Sequence, residues 1–285
     1  MARISKAGFW SSISYFFHRW IFKSKYLIAD IPEYNLKIKF KTEDGGGRRM
    51  YKRGDYEPTI TTFLTRHLRL QTDDIVLDVG ANVGWYALLF SRLWEGRVQV
   101  HCFEPDPVNF ECLKDNLQMN QSENVIIHQL AVGHQEEEKI LYQYASKNTG
   151  RHSLLPVNEG KQLIVKVVRL DEYLKRIGIS IQKVKFIKID VEGYEYLALQ
   201  GAGSLLESTP VIFAEYSPGL LKKSSMDPLQ VLNLLYQHHY LPYTITESGP
   251  KNIAKEVLFK EKGTLNVLWV KNDWNNWVDK EGFTA

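Results

Sequence analysis

A chain of 285 residues with 44% hydrophobic and 24% charged positions is long enough to bury a full core and has the composition of a globular protein. Its formal charge of +3 is too small to single out nucleic acid as a partner, and the sequence has no apolar run of the length a membrane span needs. The two cysteines, Cys102 and Cys112, match no metal-ligand spacing and read as small core residues in a reducing, cytoplasmic setting.

The chain opens on an aromatic-rich stretch. Phe9, Ile13, Phe16, Phe17, Trp20 and Ile21 recur at helical spacing, while Ser12, Arg19 and Lys23 take other angles. His18 and Arg19 interrupt the apolar run and no small-residue cleavage site follows, so it does not read as a secretory signal. The stripe is expected to pack on the main domain or on a partner subunit of a homodimer. The sharper reading is an interfacial helix, which would make the protein peripheral to a membrane.

Residues 26–40 read as a strand pair, with Asn35–Phe40 alternating in polarity, and the glycine-rich stretch Thr42–Gly47 breaks the pattern. A helix is predicted from about Pro58 through Leu70. Beyond it strands and helices alternate: strand 75–79, helix 85–94, strand 98–103, helix 107–119 and strand 125–130. Pro107 suits a helix start, where its missing N–H costs nothing. The alternation pauses over 131–170, where Lys139–Tyr144 and Leu163–Val168 look like strands flanking a loop at 148–153. A helix at 171–177, a strand VKFIKID, a helix Tyr194–Leu206, a strand 211–216, a helix 227–239 and strands near 241–246 and 265–271 complete the chain. This order specifies an α/β fold, a mostly parallel twisted sheet with helices on both faces and an antiparallel edge strand. An N-terminal extension (1–70: aromatic helix, strand pair, cap helix) precedes the α/β core (71–285).

Chemistry concentrates at Ile75–Gly84, IVLDVGANVG: a short apolar strand, a glycine turn and an amphipathic helix from about Trp85. That is the layout of a nucleotide-type pocket at the mouth of a parallel sheet. A dinucleotide is disfavoured, because its fingerprint needs a second glycine where this chain has Asn82. Asp78 would also set a carboxylate beside the phosphates. S-adenosylmethionine, which carries an ammonium and a sulfonium but no phosphate, fits better. Glu104, ending the second strand, is placed to accept hydrogen bonds from both ribose hydroxyls.

The remaining strand ends supply Gln129 to Ala131, Asp190 with Glu192, and Glu215 with Tyr216. Any one of these acids reads equally as a helix cap. Together in one crevice they call for a positive charge. The sulfonium is one; a Mg²⁺ held by Asp190, Glu192 and Glu215 is the alternative, which no closer ligand spacing supports.

The blocks DVGANVGWYALLF, FEPDPVNFECLKDNLQMN, QLAVG and KIDVEGYEYLALQGA, with GDYEP at 54–58 ahead of them, resemble the FkbM-type S-adenosylmethionine-dependent methyltransferases over about residues 51–216. The resemblance implies a Rossmann-like class I methyltransferase sheet and transfer of a methyl group to a hydroxyl of a sugar, glycolipid or polyketide-type product. Carried over by position, Asp78, Gly80, Asn82 and Gly84 line the methionine end and Glu104 holds the ribose. Pro105 and Asp106 shape the adenosine side, Gln129, Leu130 and Ala131 lie beside the adenine, and Glu57 closes over the cofactor. Asp190 and Glu192 fall next to the methyl group.

An alcohol is a poor nucleophile, so a base in hydrogen-bond reach helps. Asp190 and Glu192 are the first candidates and His152 the second, although His152 also reads as a plain surface histidine. Asp190-Val-Glu-Gly stands where amino-group methyltransferases on nucleic acids commonly carry an Asn/Asp-Pro-Pro-aromatic turn, which argues against a nucleic-acid acceptor. The expected activity is therefore O-methylation of a sugar, glycan or glycosylated metabolite. The alternatives are a lipid or polyketide-type hydroxyl as acceptor, or a cofactor-binding protein without turnover.

Overall fold

The computed structural model describes residues 6–144, 151–156, 160–247 and 249–271, so residues 148–150 of the expected loop lie outside the described residues. Helix α1 (Lys6–Phe16) runs into a wider helical turn at Phe17–Ile21 and is followed by an antiparallel hairpin of β1 (Tyr26–Ile31) and β2 (Leu36–Lys41). Alternate residues of both strands, Leu27, Ala29, Ile31, Leu36, Ile38 and Phe40, form one buried face. Of the aromatic stripe expected to pack on the main domain or a partner subunit, Phe16, Phe17, Trp20 and Ile21 are exposed and Ile13 is half-buried, while the side chain of Phe9 lies outside the described residues. Tyr15, which lies off the stripe, is buried.

Helix α2 (Gly45–Arg53) stands where the glycine-rich stretch predicted only a break. Glycine is a poor helix former, so the sequence hides it. Asp44 starts the helix by accepting the Gly47 N–H at 2.5 Å, and Gly54, at φ +70°, ends it. Helix α3 (Pro58–His67) stops three residues earlier than predicted.

The core then proceeds through β3 (Ile75–Val79), α4 (Trp85–Leu93), β4 (Gln99–Phe103), α5 (Pro107–Met119) and β5 (Val125–His128). Strand β5 ends two residues before the predicted boundary. A short β6 (Ala131–Gly133) leaves the main sheet to form a small one with β7 (Glu137–Tyr142) and β8 (Gln162–Arg169), in the order β6–β8–β7. After α6 (Leu170–Arg176) come β9 (Val184–Ile189), α7 (Glu195–Ala202), α8 (Leu205–Ser208), β10 (Val211–Tyr216), α9 (Pro218–Lys223) and α10 (Leu229–Gln237). The chain closes with β11 (Tyr240–Thr246), β12 (Gly249–Asn252), α11 (Lys255–Lys260) and β13 (Leu265–Lys271).

The main sheet has the order β12–β11–β13–β10–β9–β3–β4–β5. It is parallel from β5 to β10, and β13 then inserts antiparallel between β10 and β11. Both faces are covered, which is why β3 is buried at all five positions. Val76 points into a core shared with α4 and the N-terminal hairpin, while Ile75, Leu77 and Val79 point into one shared with α6, α7 and α10. The extension before residue 70 thus packs into the same core as one face of the sheet. Strand order reverses between β3 and β9, and the crevice beyond their carboxyl ends is where such a sheet takes its ligand.

Candidate active site

Two adjoining chambers occupy that crevice, and both are lined by Gly80, Asn82 and Asp190. The first has apolar walls of Phe103, Pro105, Leu130, Leu141 and Leu154 around the Glu104 carboxylate. The second, of about 280 Å³, is lined by Asp44, Met50, Tyr56, Trp85, Tyr86, Lys188 and Glu192 among others.

The turn after β3 decides how close the two strands' ends approach. Gly80 has φ +80°, and a Cβ there would collide with the Asp190 carbonyl oxygen, so the β3 turn passes the end of β9 only as glycine. Gly84 also has a positive φ, +94°, but its missing Cβ makes room for Leu113 of α5, whose Cδ1 would lie only 2.5 Å from a Cβ placed there. It is a packing glycine and lies outside the lining of either chamber, contrary to its expected place at the methionine end.

Glu104 stands where expected. Its Oε2 accepts the Asn82 N–H at 2.8 Å and its Oε1 the Asp106 N–H at 2.9 Å. Burial lifts the carboxyl to about 7. Each oxygen keeps a lone pair for a ligand hydroxyl. Pro105, Leu130 and Ala131 join it in the first chamber. Asp106 and Gln129 do not. Asp106 caps α5 by accepting the Val108 and Asn109 N–H groups at 2.9 and 3.0 Å and takes a further bond from the Gln143 amide, and Gln129 is exposed. Glu57, half-buried at the start of α3, turns to the Tyr86 hydroxyl and to Asn266 Nδ2 at 3.3 Å rather than over the chambers.

Asp78 is also displaced from its expected role. It is fully buried and lines neither chamber. Its partner is Lys188, the residue opposite it in the parallel β3–β9 ladder. The Lys188 Nζ lies 3.4 Å from Asp78 Oδ1 and 3.5 Å from Asp190 Oδ2, and donates to the Gly80 carbonyl at 3.0 Å. Burial alone would pull the ammonium down, but Asp78, Asp190 and Glu57 together hold it above the ordinary lysine value. Burial pushes the Asp78 carboxyl up and this cation opposes it, so the two stand as an ion pair. Sequence reasoning missed Lys188, though a lysine inside the apolar inner strand VKFIKI was the available signal.

His152 is neither a surface residue nor a free base. It lines the first chamber, and its Nδ1 accepts the Tyr144 N–H at 3.1 Å, which puts the ring hydrogen on Nε2. Burial lowers its pKa, with Asp106 opposing. A neutral imidazole whose acceptor nitrogen is already engaged offers the chamber a donor.

Asp190 and Glu192 are brought together as predicted. Asp190 faces both chambers and Glu192 the second only. Burial, then repulsion from Asp190 and Glu215, raises Glu192 to about 8. Glu215, which accepts from Ser217 Oγ at 2.8 Å, is raised to about 7 by burial and by Asp190. No group of three or more His, Cys, Asp or Glu is arranged to hold a metal ion among the described residues.

The fit to an adenosyl cofactor is tested by what these chambers leave unpaired. Asn82 Oδ1 is buried where the two chambers meet and has no hydrogen-bond partner, so it suits an ammonium or hydroxyl donor. His152 Nε2, 3.8 Å from Asp106 Oδ2, likewise has no hydrogen-bond partner in the apolar chamber. With two chambers at the carboxyl ends of the strands and this strand order, the chain has a Rossmann-like fold of the class I methyltransferase kind. The family model described as the methyltransferase FkbM domain matches residues 78–242, more than half of the chain, and the protein belongs to that family.

Curated relatives include hexuronic acid methyltransferase AglP of Haloferax volcanii, 26% identical over 58% of this chain and 62% of that one. The 31-O-demethyl-FK506 methyltransferase FkbM of Streptomyces tacrolimicus is 28% identical over 49% of this chain and 63% of its own. The chain therefore spans about six-tenths of the length of these relatives. Among solved structures, precorrin-6y C5,15-methyltransferase of Geobacter metallireducens aligns at a TM-score of 0.42 and 14% identity, over 76% of this chain and 88% of that one.

Proposed function

We propose that the protein transfers the methyl group of S-adenosylmethionine to a hydroxyl of a sugar, glycan or glycosylated metabolite. The observation that carries this reading is the Asp190–Glu192 pair: Asp190 faces both chambers and Glu192 the second, beside aromatic walls from Tyr56, Trp85 and Tyr86. Carboxylates match the hydroxyls of a polyol and aromatic rings its C–H faces. A relative named for a hexuronic acid supports a sugar, and one named for a 31-O-demethyl compound supports oxygen as the acceptor atom. A lipid-linked hydroxyl is the second reading, favoured by the exposed aromatic residues of α1.

The cofactor supplies an electrophilic methyl on a sulfonium leaving group. The chain's residues supply the rest: Glu104 binds the ribose, Asn82 the amino-acid end, and Leu130, Leu141 and Leu154 enclose the base. Asp190 accepts the acceptor's hydroxyl proton, while Glu192 in its protonated form donates a hydrogen bond that orients the acceptor.

Calorimetric titration with S-adenosylhomocysteine tests the cofactor site. Removing a buried carboxylate from two charge-assisted bonds is expected to weaken binding by roughly 10- to 100-fold in Glu104→Ala. Unchanged affinity would remove Glu104 from the site. Methyl transfer to a panel of glycans and glycolipids then tests the acceptor class.

The pH profile separates the two acids. Glu192 is protonated below its raised value of about 8 and ionised above it. If its proton orients the acceptor, kcat falls above pH 8, and Glu192→Gln, which keeps a donor but cannot ionise, loses that alkaline decline. A wild-type kcat that instead rises tenfold per unit up to about pH 8 would make Glu192 the base.

A further inference from the structure

The outward face of α1 and the turn that follows it is set apart from the rest of the surface. Helix α1 packs on α2 through Tyr15, whose ring lies 6.1 Å from Tyr51 and whose hydroxyl donates to the Thr42 carbonyl at 2.5 Å. Ser14 Oγ adds a contact of 2.9 Å to the Tyr51 hydroxyl. Phe17, Trp20 and Ile21 lie in the wider turn that follows α1 and are left outside this contact. They are 47%, 56% and 59% exposed, and Phe16 and Phe22 extend the patch at 53% and 66%. Single exposed apolar residues need no explanation, but five large ones within seven positions do.

Charge is distributed to match. The first 53 residues hold twelve Lys and Arg against four Asp and Glu, whereas the remainder holds 24 against 29. The small overall charge thus hides a basic end on an acidic body. Arg19 lies 5.0 Å over the Trp20 ring, Lys23 and Lys25 follow the aromatics, and the last turn of α2 carries Lys52 and Arg53.

We propose that this face docks on an anionic lipid bilayer. Aromatic side chains enter the headgroup–acyl boundary and the flanking cations meet lipid phosphates and carboxylates. No helix among the described residues is long and apolar enough to cross a membrane, so the element lies on the surface. A second copy of the chain is the less suitable occupant, because pairing through this face would set two basic surfaces against each other. Helix α2, on which α1 packs, also lends Gly46 and Met50 to the second chamber. The inference rests on the surface alone and stands whichever acceptor is correct.

Flotation of the full chain with vesicles tests it, using phosphatidylcholine alone and phosphatidylcholine with about 30 mol% phosphatidylserine. The wild type is expected to float with the anionic vesicles at least tenfold more strongly than with the neutral ones, and less so in high salt. Trp20→Ser/Phe22→Ser and Lys23→Glu/Lys25→Glu should each lose at least tenfold, since a cation near the surface contributes about fivefold. Both pairs are exposed, so melting curves should coincide with the wild type and show that any loss is not unfolding. Failure to float with either vesicle, or flotation untouched by both variants, overturns the proposal. So does a concentration-dependent dimer, seen by sedimentation without vesicles and dispersed by Trp20→Ser/Phe22→Ser, which would give the face to a second copy.

Discussion

Asp190→Asn is expected to lower kcat by about 10²-fold or more while S-adenosylhomocysteine affinity stays within about tenfold. The two effects separate because the backbone and the side chain of this residue have different tasks. Its N–H bonds to the Val79 carbonyl at 3.1 Å, and its own carbonyl is the group against which Gly80 packs. Asparagine keeps both main-chain contacts. The side chain is partly open to both chambers, so the change leaves no buried orphan. What disappears is a carboxylate able to take a proton. After burial, repulsion from Asp190 is the largest influence raising Glu192, so the variant's residual activity should show its alkaline decline at a lower pH than the wild type. Single-turnover rates across pH 6 to 9 measure both effects, and wild-type turnover would sink the base assignment.

The parts of this site that were legible in the sequence are those fixed by local pattern. A strand, a glycine turn and a helix specify the crevice, and the acid two dozen residues beyond Asp78 falls at the end of the neighbouring strand. Glu104, Asn82, Leu130 and Asp190 are accordingly where the pattern put them. Asp78 and Gly84 are misplaced because their roles depend on partners distant in sequence. Asp78 sits on a strand buried on both faces, and only the register of β3 against β9 shows that Lys188 stands opposite it. Gly84 and Gly80 share a positive φ, and only packing separates the glycine that clears Leu113 from the one that clears Asp190. Helix α2 was hidden by its three opening glycines, and the outward turn of the aromatic stripe follows from where Tyr15 docks. Periodicity gives the amphipathic face, but not whether that face looks inward.

Lys188→Met is expected to be the most destabilising single change at the site. It leaves the Asp78 carboxylate buried with no counter-charge, a loss that for buried ion pairs amounts to roughly 3–5 kcal/mol. In a chain of this size that is a fall of about 10 °C in Tm. The Asp78 carboxylate is held by the Lys188 charge and, to a smaller degree, by the Ala87 backbone N–H, so the ion pair is the larger part of what offsets its burial. Replacing both members with apolar groups, Asp78→Leu/Lys188→Met, should therefore recover most of the lost Tm. It should not recover cofactor affinity. The Lys188 ammonium also holds the Gly80 carbonyl at 3.0 Å and stands 3.5 Å from Asp190, so without it the turn shared by both chambers loses its anchor. Differential scanning calorimetry and S-adenosylhomocysteine titration on the single and double variants give the two readouts. Recovery of both together would mean that Lys188 serves the fold alone. Recovery of Tm without affinity would make it the residue through which the buried strands set the geometry of the methyl-transfer site.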